Sequence, residues 1–207
     1  MRGIGAIARQ LGDLDLHVFV LPYARQHKRQ PLRCVLGAYL GVSDGEVTLV
    51  DGEFGRPALH PRHGAALQFN WSHSGNRAAI AVARRCAPGI DIEQRRDRPR
   101  ALDIADRYFY RDEGAVLASM PVEARSAAFL KLWTAKEAVL KALGRGIAFG
   151  LDRLHVAIEQ DQPVLRWLDQ DDASAWQLLR LDLGTDYVAA LAWRGSARTI
   201  RCWTIEI

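Results

Sequence analysis

The sequence predicts a fold of the α+β class, and three observations support this prediction. Short strand-like runs occur in both halves of the chain, each half also contains a helical pattern, and strands and helices do not alternate in the regular βαβ order of a parallel sheet. With 49% hydrophobic and 25% charged residues, the chain of 207 residues can bury a substantial core and is globular.

The first part of the chain is predicted to be mostly β with one helix. Residues 16–21, LHVFVL, form a first strand, and residues 24–41 form a basic loop followed by a helix, with Pro31 near its start and Gly41 at its end. A hairpin turn is predicted at SGN, residues 74–76. Further strand-like runs are EVTLV, LQFNWSH, AAIAVAR and GIDIE.

A charged stretch that contains a proline, QRRDRPR at 94–100, joins the two predicted halves, residues 1–98 and 99–207. The second half opens with helical patterns at 101–119 and 122–143. Five strand-like runs follow: LHVAIE, VLRWL, AWQLLRL, YVAALAW and TIRCWTIEI. We expect the two halves to form one compact unit.

Composition excludes several classes of protein. No apolar run approaches the roughly 20 residues that cross a bilayer, and the N-terminal segment lacks the apolar core of a signal peptide. The three cysteines, Cys34, Cys86 and Cys202, are far apart and lack the CxxC spacing of a zinc site. We therefore expect a cytoplasmic protein without membrane contact. The net charge of +4 favours an acidic or phosphate-bearing partner.

The stretch GIDIE, residues 89–93, places two carboxylates on one side of a short strand. Side chains alternate along a strand, so Asp91 and Glu93 share one face and Ile90 and Ile92 share the other. Two neighbouring negative charges are unfavourable unless a cation lies between them, and Mg²⁺ prefers such oxygen ligands. The alternative is an edge strand whose acidic face points to solvent.

Three of the four lysines lie in KLWTAKEAVLK, residues 131–141. At 100° per residue, Lys136 falls inside the apolar arc of the helix, and Glu137 and Lys141 lie at its edge, four residues apart. The arc consists of Phe129, Leu132, Trp133, Leu140 and Leu143. The alternative is that Lys136 extends along the helix to solvent, and that Glu137 and Lys141 form a surface ion pair that stabilises the helix by roughly a few tenths of a kcal/mol.

Two further segments carry groups that could bind phosphate. In FNWSHS, residues 69–74, Ser72 and His73 could donate hydrogen bonds to a phosphate; a capping serine and a packed histidine are the alternative. Neighbouring side chains of a strand point to opposite faces, and no G-x-S-x-G turn is present, so a serine hydrolase is disfavoured. In the turn formed by residues 55–57, Arg56 could contact phosphate through its planar guanidinium.

Taken in order, these segments resemble the motifs of the phosphopantetheinyl transferase superfamily, in particular the W/KEA variant of its Sfp-type enzymes. The segments are GRP (55–57), FNWSHS (69–74), GIDIE (89–93), WTAKEAVLK (133–141) and GRG (144–146). IADRYFYRDE, residues 104–113, resembles a further family segment. The resemblance implies a pseudo-two-fold arrangement of two similar halves, each a mostly antiparallel sheet packed with helix, with coenzyme A in the cleft between them.

The resemblance also implies roles for individual residues. Asp91, Glu93 and Glu137 would bind Mg²⁺, and Glu137 would be the general base. Lys136 would steady the attacking or leaving oxygen. The coenzyme A contacts would be Lys141 at the pyrophosphate, Ser72 and His73 at the phosphates, Arg33 at the adenosine end, Arg56 in place of the family's lysine, and Lys28 at the 3′-phosphate, for which Arg25, His27 and Arg29 are alternatives.

The implied reaction transfers 4′-phosphopantetheine from coenzyme A to a serine of an apo acyl or peptidyl carrier protein and releases 3′,5′-ADP. The carrier protein could serve fatty-acid, polyketide or nonribosomal peptide synthesis, and we expect a monomer that does not bind nucleic acid. Two alternatives stay open. One is another Mg²⁺-dependent transferase that uses a nucleotide. The other is a non-catalytic nucleic-acid-binding protein, suggested by the many arginines and the six tryptophans, most of which lie in apolar patterns.

Overall fold

The computed structural model describes residues 2–52 and 54–206, with only the backbone of Arg2. Met1, Glu53 and Ile207, which ends the last predicted strand run, lie outside the described residues. The helices are α1 (Arg2–Ala8), α2 (Gln30–Leu40), α3 (Ala101–Tyr108), α4 (Arg111–Ser119) and α5 (Val122–Leu143). None of these helices is long and apolar enough to cross a membrane.

Eleven strands complete the described part of the chain, and they confirm the α+β class. They are β1 (Asp15–Pro22), β2 (Leu49–Asp51), β3 (Pro57–Leu59), β4 (Leu67–Ser74), β5 (Arg77–Arg84), β6 (Gly89–Gln94), β7 (Leu154–Glu159), β8 (Gln162–Leu168), β9 (Trp176–Leu181), β10 (Tyr187–Arg194) and β11 (Thr199–Thr204). Among the described strands, only β1 and β11 pair in parallel; the other pairs are antiparallel.

The first sheet has the strand order β11-β1-β5-β4, and its central strands β1 and β5 are buried on both faces. Along β1, Phe19 and Leu21 belong to the core that α2 covers, whereas Val18 and Val20 belong to the core against the second sheet. The turn between β4 and β5 confirms the predicted hairpin, with Gly75 at a positive φ of 57°.

The second sheet has the order β6-β10-β9 and is covered on its outer face by α5. Along β10, Val188 and Ala190 belong to the core formed with α5, whereas Ala189 and Leu191 face the first sheet. The two sheets therefore pack face to face, and each carries a helix on its outer side. The β7–β8 hairpin adds a smaller layer beside α5.

The two predicted halves exchange strands. β6, which precedes residue 98, pairs with β10 in the second sheet. β11, near the other end of the described chain, pairs with β1 in the first sheet, with Val18 opposite Cys202. Each sheet therefore needs a strand from the other half.

Gly89 allows the closest approach between α5 and β6. A Cβ atom at this position would lie 2.0 Å from the carbonyl oxygen of Ala138 and 2.4 Å from the backbone nitrogen of Ala142. Only a glycine fits between the strand and the helix backbone, and this contact brings Asp91 and Glu93 close to α5.

The helices differ from the sequence prediction in two places. The pattern at 101–119 is divided into α3 and α4 at Phe109, and the new helix starts where the Glu113 carboxylate accepts the backbone N–H of Tyr110. Helix α1 was not predicted, because a seven-residue segment with two glycines has low intrinsic helix propensity. It is held by packing of Ile4 in the core under α2. The bounds of α5 agree with the predicted 122–143.

Candidate active site

Three elements bring a lysine, a serine and an aspartate into direct contact. The ammonium of Lys141, on α5, lies 2.6 Å from Oδ1 of Asp91 on β6 and 3.0 Å from Oγ of Ser72 on β4. The Ser72 hydroxyl in turn donates to the same Asp91 oxygen at 2.7 Å. Because Asp91 is buried, the lysine charge largely offsets the cost of desolvating this carboxylate.

The edges of the two sheets are joined here by side chains of β4. Asn70 accepts the backbone N–H of Ile90 at 2.9 Å, Ser72 binds Asp91, and Ser74 donates to Oε2 of Glu93 at 2.8 Å. Residues 70, 72 and 74 lie on one face of β4 because side chains alternate. Arg98 also contacts Glu93, at 2.8 Å. Asp91 and Glu93 therefore share the face of β6 that is turned toward α5 and not toward solvent, and side chains of β4 hydrogen-bond to both carboxylates.

Glu137 lies one turn before Lys141 on α5 and is 8% exposed. Burial, followed by the negative charge of Asp91, raises the pKa of Glu137 to about 7; Lys141 opposes the shift and Glu93 adds to it. The carboxylates of residues 91, 93 and 137 are thus close enough to influence each other. Among the side chains that the structure describes, Oε1 of Glu137 and Oδ2 of Asp91 are buried and have no hydrogen-bond partner.

The donor set suits a divalent cation, although it is not arranged as a finished metal site. Within residues 2–52 and 54–206, no three His, Cys, Asp or Glu side chains form a metal-binding group as they stand. The Lys141 ammonium already contacts Asp91, and Arg98 contacts Glu93. The two buried oxygens without partners belong to carboxylates, which are the hard ligands that Mg²⁺ prefers. These residues therefore fit Mg²⁺ chemically.

A cavity of about 250 Å³ opens beside Glu137. Glu137 and Lys141 line it from α5, and Trp71 lines it from β4. Phe54, Arg56 and Gly144 also line it. A ligand in this cavity would contact both the carboxyl group and the ammonium of the helix.

His73 points away from Ser72 and lies beside the site in an aromatic cluster. Its ring stacks on Tyr23 with centroids 4.5 Å apart, and Trp71 lies at 5.2 Å. Burial lowers the pKa of His73, and the positive charges of Lys141 and Arg25 lower it further. His73 is therefore mostly neutral at pH 7, and its ring lies within electrostatic reach of both cations.

The basic residues that were predicted to bind the 3′-phosphate differ in their surroundings. Arg25 is exposed and acts on His73, whereas Arg29 is paired with Asp51 at 2.6 Å. Lys28 and Arg33 are exposed, and within the described residues no hydrogen bond or ion pair links them to the carboxylates. Of these basic residues, Arg25 is therefore the one whose charge acts on a predicted phosphate contact, His73.

Arg56 makes an extended set of backbone contacts. Its Nη1 lies 2.5 Å from the carbonyl oxygen of Lys141 and 3.3 Å from that of Ala142. Its Nη2 lies 3.1 Å from the carbonyl oxygen of Phe69 and 3.0 Å from that of Pro88. Burial lowers the pKa of Arg56, although a guanidinium stays charged at neutral pH. Sequence reasoning treated Arg56 as a coenzyme A contact and did not reveal these carbonyl acceptors.

Lys136 does not lie with the three carboxylates. It is fully buried, and its ammonium donates to Glu113 at 2.7 Å and to the carbonyl oxygen of Leu154 at 2.6 Å. Burial lowers the pKa of Lys136, and the Glu113 carboxylate opposes this shift. We therefore assign Lys136 to the core between α4, α5 and β7 and not to the reacting oxygen. Glu113 ends a segment noted in the sequence, but its role as the partner of Lys136 was missed.

Comparison with known proteins gives consistent results. Residues 87–192 match the model of the 4′-phosphopantetheinyl transferase superfamily. The chain is 36% identical over 188 residues to the 4′-phosphopantetheinyl transferase HetI of Nostoc sp., covering 87% of this chain and 77% of HetI. It is 31% identical over 133 residues to the 4′-phosphopantetheinyl transferase Sfp of Bacillus subtilis, covering 64% of this chain and 57% of Sfp. A solved structure, the holo-[acyl-carrier-protein] synthase of Thermotoga maritima, aligns over 53% of this chain and 62% of that chain with a TM-score of 0.41 and 19% identity.

Proposed function

The chain belongs to the 4′-phosphopantetheinyl transferase superfamily, and from this premise we propose that it transfers 4′-phosphopantetheine from coenzyme A to a serine of an apo acyl or peptidyl carrier protein. The reaction would require Mg²⁺ and release 3′,5′-ADP. The observation that carries this proposal is the convergence of Asp91, Glu137 and Lys141 beside one cavity.

We propose that Asp91, Glu93 and Glu137 hold the Mg²⁺ ion. The unpaired buried oxygens of Asp91 and Glu137 support this assignment. The pKa of Glu137, which is raised first by burial and then by the negative charge of Asp91, also supports it. When bound, Mg²⁺ neutralises charge on the phosphate oxygens that take part in the transfer. The cation would also neutralise the carboxylates, which the charge of Lys141 offsets in its absence. Lys141 would then be available to bind an anionic group of the ligand.

Glu137 is proposed as the general base. The serine oxygen of the carrier protein attacks the β-phosphorus of coenzyme A, and the bond from that phosphorus to the bridging oxygen breaks. Glu137 takes the proton of the serine hydroxyl, and 3′,5′-ADP leaves with the bridging oxygen. The position of Glu137 on the wall of the cavity, one turn from Lys141, supports this role.

The phosphate groups of coenzyme A would be bound by donors on both sides of the cavity. We assign Lys141 and Ser72 to the pyrophosphate, because they are the donors in contact with Asp91. His73 and Arg25 are assigned to the 3′-phosphate, because the positive charge of Arg25 is close enough to His73 to lower the pKa of its imidazole. Arg33, which is exposed, remains the proposed contact of the adenosine end, and Lys28, also exposed, remains a candidate for the 3′-phosphate.

The partner is proposed to be an acidic carrier protein. The net charge of +4 favours its approach, so transfer should be faster at low ionic strength. The three free thiols suit a reducing compartment, and we place the reaction in the cytoplasm. The nucleic-acid alternative is not favoured, because Trp167 is the one tryptophan among the exposed large hydrophobic residues of the described chain.

Mass spectrometry of apo carrier proteins incubated with the enzyme, coenzyme A and Mg²⁺ tests the proposal. We expect addition of a phosphopantetheine group to a serine, and none when the cation is chelated. Calorimetry with coenzyme A and ATP separates the proposal from the other nucleotide-using transferase: tighter binding of ATP, together with no modified acyl or peptidyl carrier protein, would refute it.

A further inference from the structure

We infer that Arg56 is a positioning residue that fixes the C-terminal end of α5 against β4 and the start of β6. Its effect on the reaction would be exerted through Lys141 and Glu137. The effect on activity rests on the proposed function, whereas the structural role does not.

The contacts of Arg56 join the three segments that carry the site. One terminal nitrogen donates to the carbonyls of Lys141 and Ala142 in the last turn of α5, and the other donates to Phe69 and Pro88. Phe69 precedes Ser72 by three residues, and Pro88 precedes Asp91 by the same interval. A single side chain therefore sets the relative position of the helix and the two strands close to their functional residues.

The chemistry of the carbonyl acceptors and of the guanidinium explains why an arginine occupies this position. The last carbonyls of a helix have no partner within the helix, and a cation at this end also interacts favourably with the helix dipole. A guanidinium presents its N–H groups in a rigid plane and can serve four carbonyls, two from each terminal nitrogen. Lysine is a point charge with three donors on a flexible stem, so it would retain the charge but not this geometry.

The backbone of Arg56 is itself held in place. Its carbonyl oxygen accepts the N–H of Gly52 at 2.9 Å, and the next residue begins β3. Gly55 has a φ of 74°, which an L-residue adopts only with strain, so the turn presents Arg56 in a defined direction. Arg56 lines the cavity beside Glu137, but its terminal N–H groups are already bound to four carbonyls. Coenzyme A binding should therefore depend only weakly on this side chain.

The test compares Arg56→Lys with Arg56→Gln. Transfer kinetics, calorimetry with coenzyme A and hydrogen exchange at the amides of residues 139–144 would be measured for both. The matched controls are Arg145→Lys and Arg145→Gln, because Arg145 is an exposed arginine just beyond α5 whose guanidinium lies over Phe149.

A positioning role predicts that both Arg56 variants behave alike. We expect kcat to fall by about tenfold or more, because an ångström-scale displacement of reacting groups is enough to cause such a loss. Hydrogen exchange at 139–144 should accelerate, while the Kd for coenzyme A should change by less than about threefold. The Arg145 variants should leave exchange at the end of α5 unchanged.

The inference is overturned if Arg56→Lys retains wild-type kcat and exchange while Arg56→Gln weakens coenzyme A binding by about tenfold, since that pattern identifies a charge contact to the ligand. If Arg56→Gln does not fold, wild-type behaviour of Arg56→Lys in exchange and kcat is by itself sufficient to overturn it. If the wild-type protein modifies no carrier protein, the proposed function fails, and the exchange comparison still decides the role of Arg56.

Discussion

Gly89→Ala should separate α5 from β6 and damage both stability and transfer. The added Cβ would lie 2.0 Å from the Ala138 oxygen and 2.4 Å from the Ala142 nitrogen, and both atoms belong to the helix backbone. A rotamer change cannot relieve the clash, so the helix must move away by more than about 1 Å to restore van der Waals contact. Overpacking of this kind costs about 1–3 kcal/mol, or a fall in Tm of roughly 2–12 °C for a chain of this size.

The same displacement carries Glu137 and Lys141 away from Asp91. A misplacement of about 1 Å can reduce a rate by about a hundredfold. Thermal unfolding, urea titration and transfer to a carrier protein would measure these effects. Gly3→Ala is the matched control, because an added Cβ there has nothing within 4 Å and lies on a helix. Wild-type stability and activity in Gly89→Ala would refute the argument that only glycine fits here.

Three further predictions concern the carboxylates and the buried lysine. Glu137→Gln should abolish transfer but leave the Kd for coenzyme A within about threefold of the wild-type value in calorimetry. The control Glu123→Gln, at an exposed position of the same helix, should be active. Near-normal turnover by Glu137→Gln would exclude Glu137 as the base. Because the pKa of Glu137 is raised from 4.5 to about 7 on folding, its contribution to metal-free stability should be largest below pH 4.5 and decline by up to about 3 kcal/mol as the pH rises through 7. Urea titrations across pH of the wild type and Glu137→Gln, both in chelator, should diverge over this range; parallel curves would contradict the shift. Lys136→Met should destabilise the protein by about 3–5 kcal/mol, because it leaves Glu113 buried without its counter-charge. Coenzyme A binding to the folded variant should stay normal. A stable variant with weakened coenzyme A binding would show instead that Lys136 belongs to the active site.

Local periodicity was sufficient to predict the elements that carry the site. The alternation in GIDIE placed Asp91 and Glu93 on one face, and the helical period placed Glu137 and Lys141 together at the edge of the apolar arc. These relations depend on residues at most four positions apart, so backbone geometry alone determines them. The assignment of these residues to Mg²⁺ and coenzyme A came from the family resemblance, and it stays a prediction.

Contacts between distant segments were beyond such reasoning. The apolar arc contained Lys136, but its partners Glu113 and Leu154 lie 23 and 18 residues away, and no local pattern links them. Arg56 reaches carbonyls up to 86 residues away, and backbone acceptors leave no trace in residue type. The division of the predicted helix at Phe109 also lacks a sequence signal, because the C-cap residue of α3 is neither glycine nor proline.

The pairing of β11 with β1 links the order of synthesis to the order of folding. Residues 15–22 leave the ribosome long before residues 199–204, yet these segments are neighbours in the first sheet. Until the late strand arrives, one side of β1 has unpaired peptide groups, and strands with such open edges are prone to intermolecular association. A fragment that stops at residue 98 would also leave β6 without its neighbour β10, so independent expression of either half should yield insoluble material.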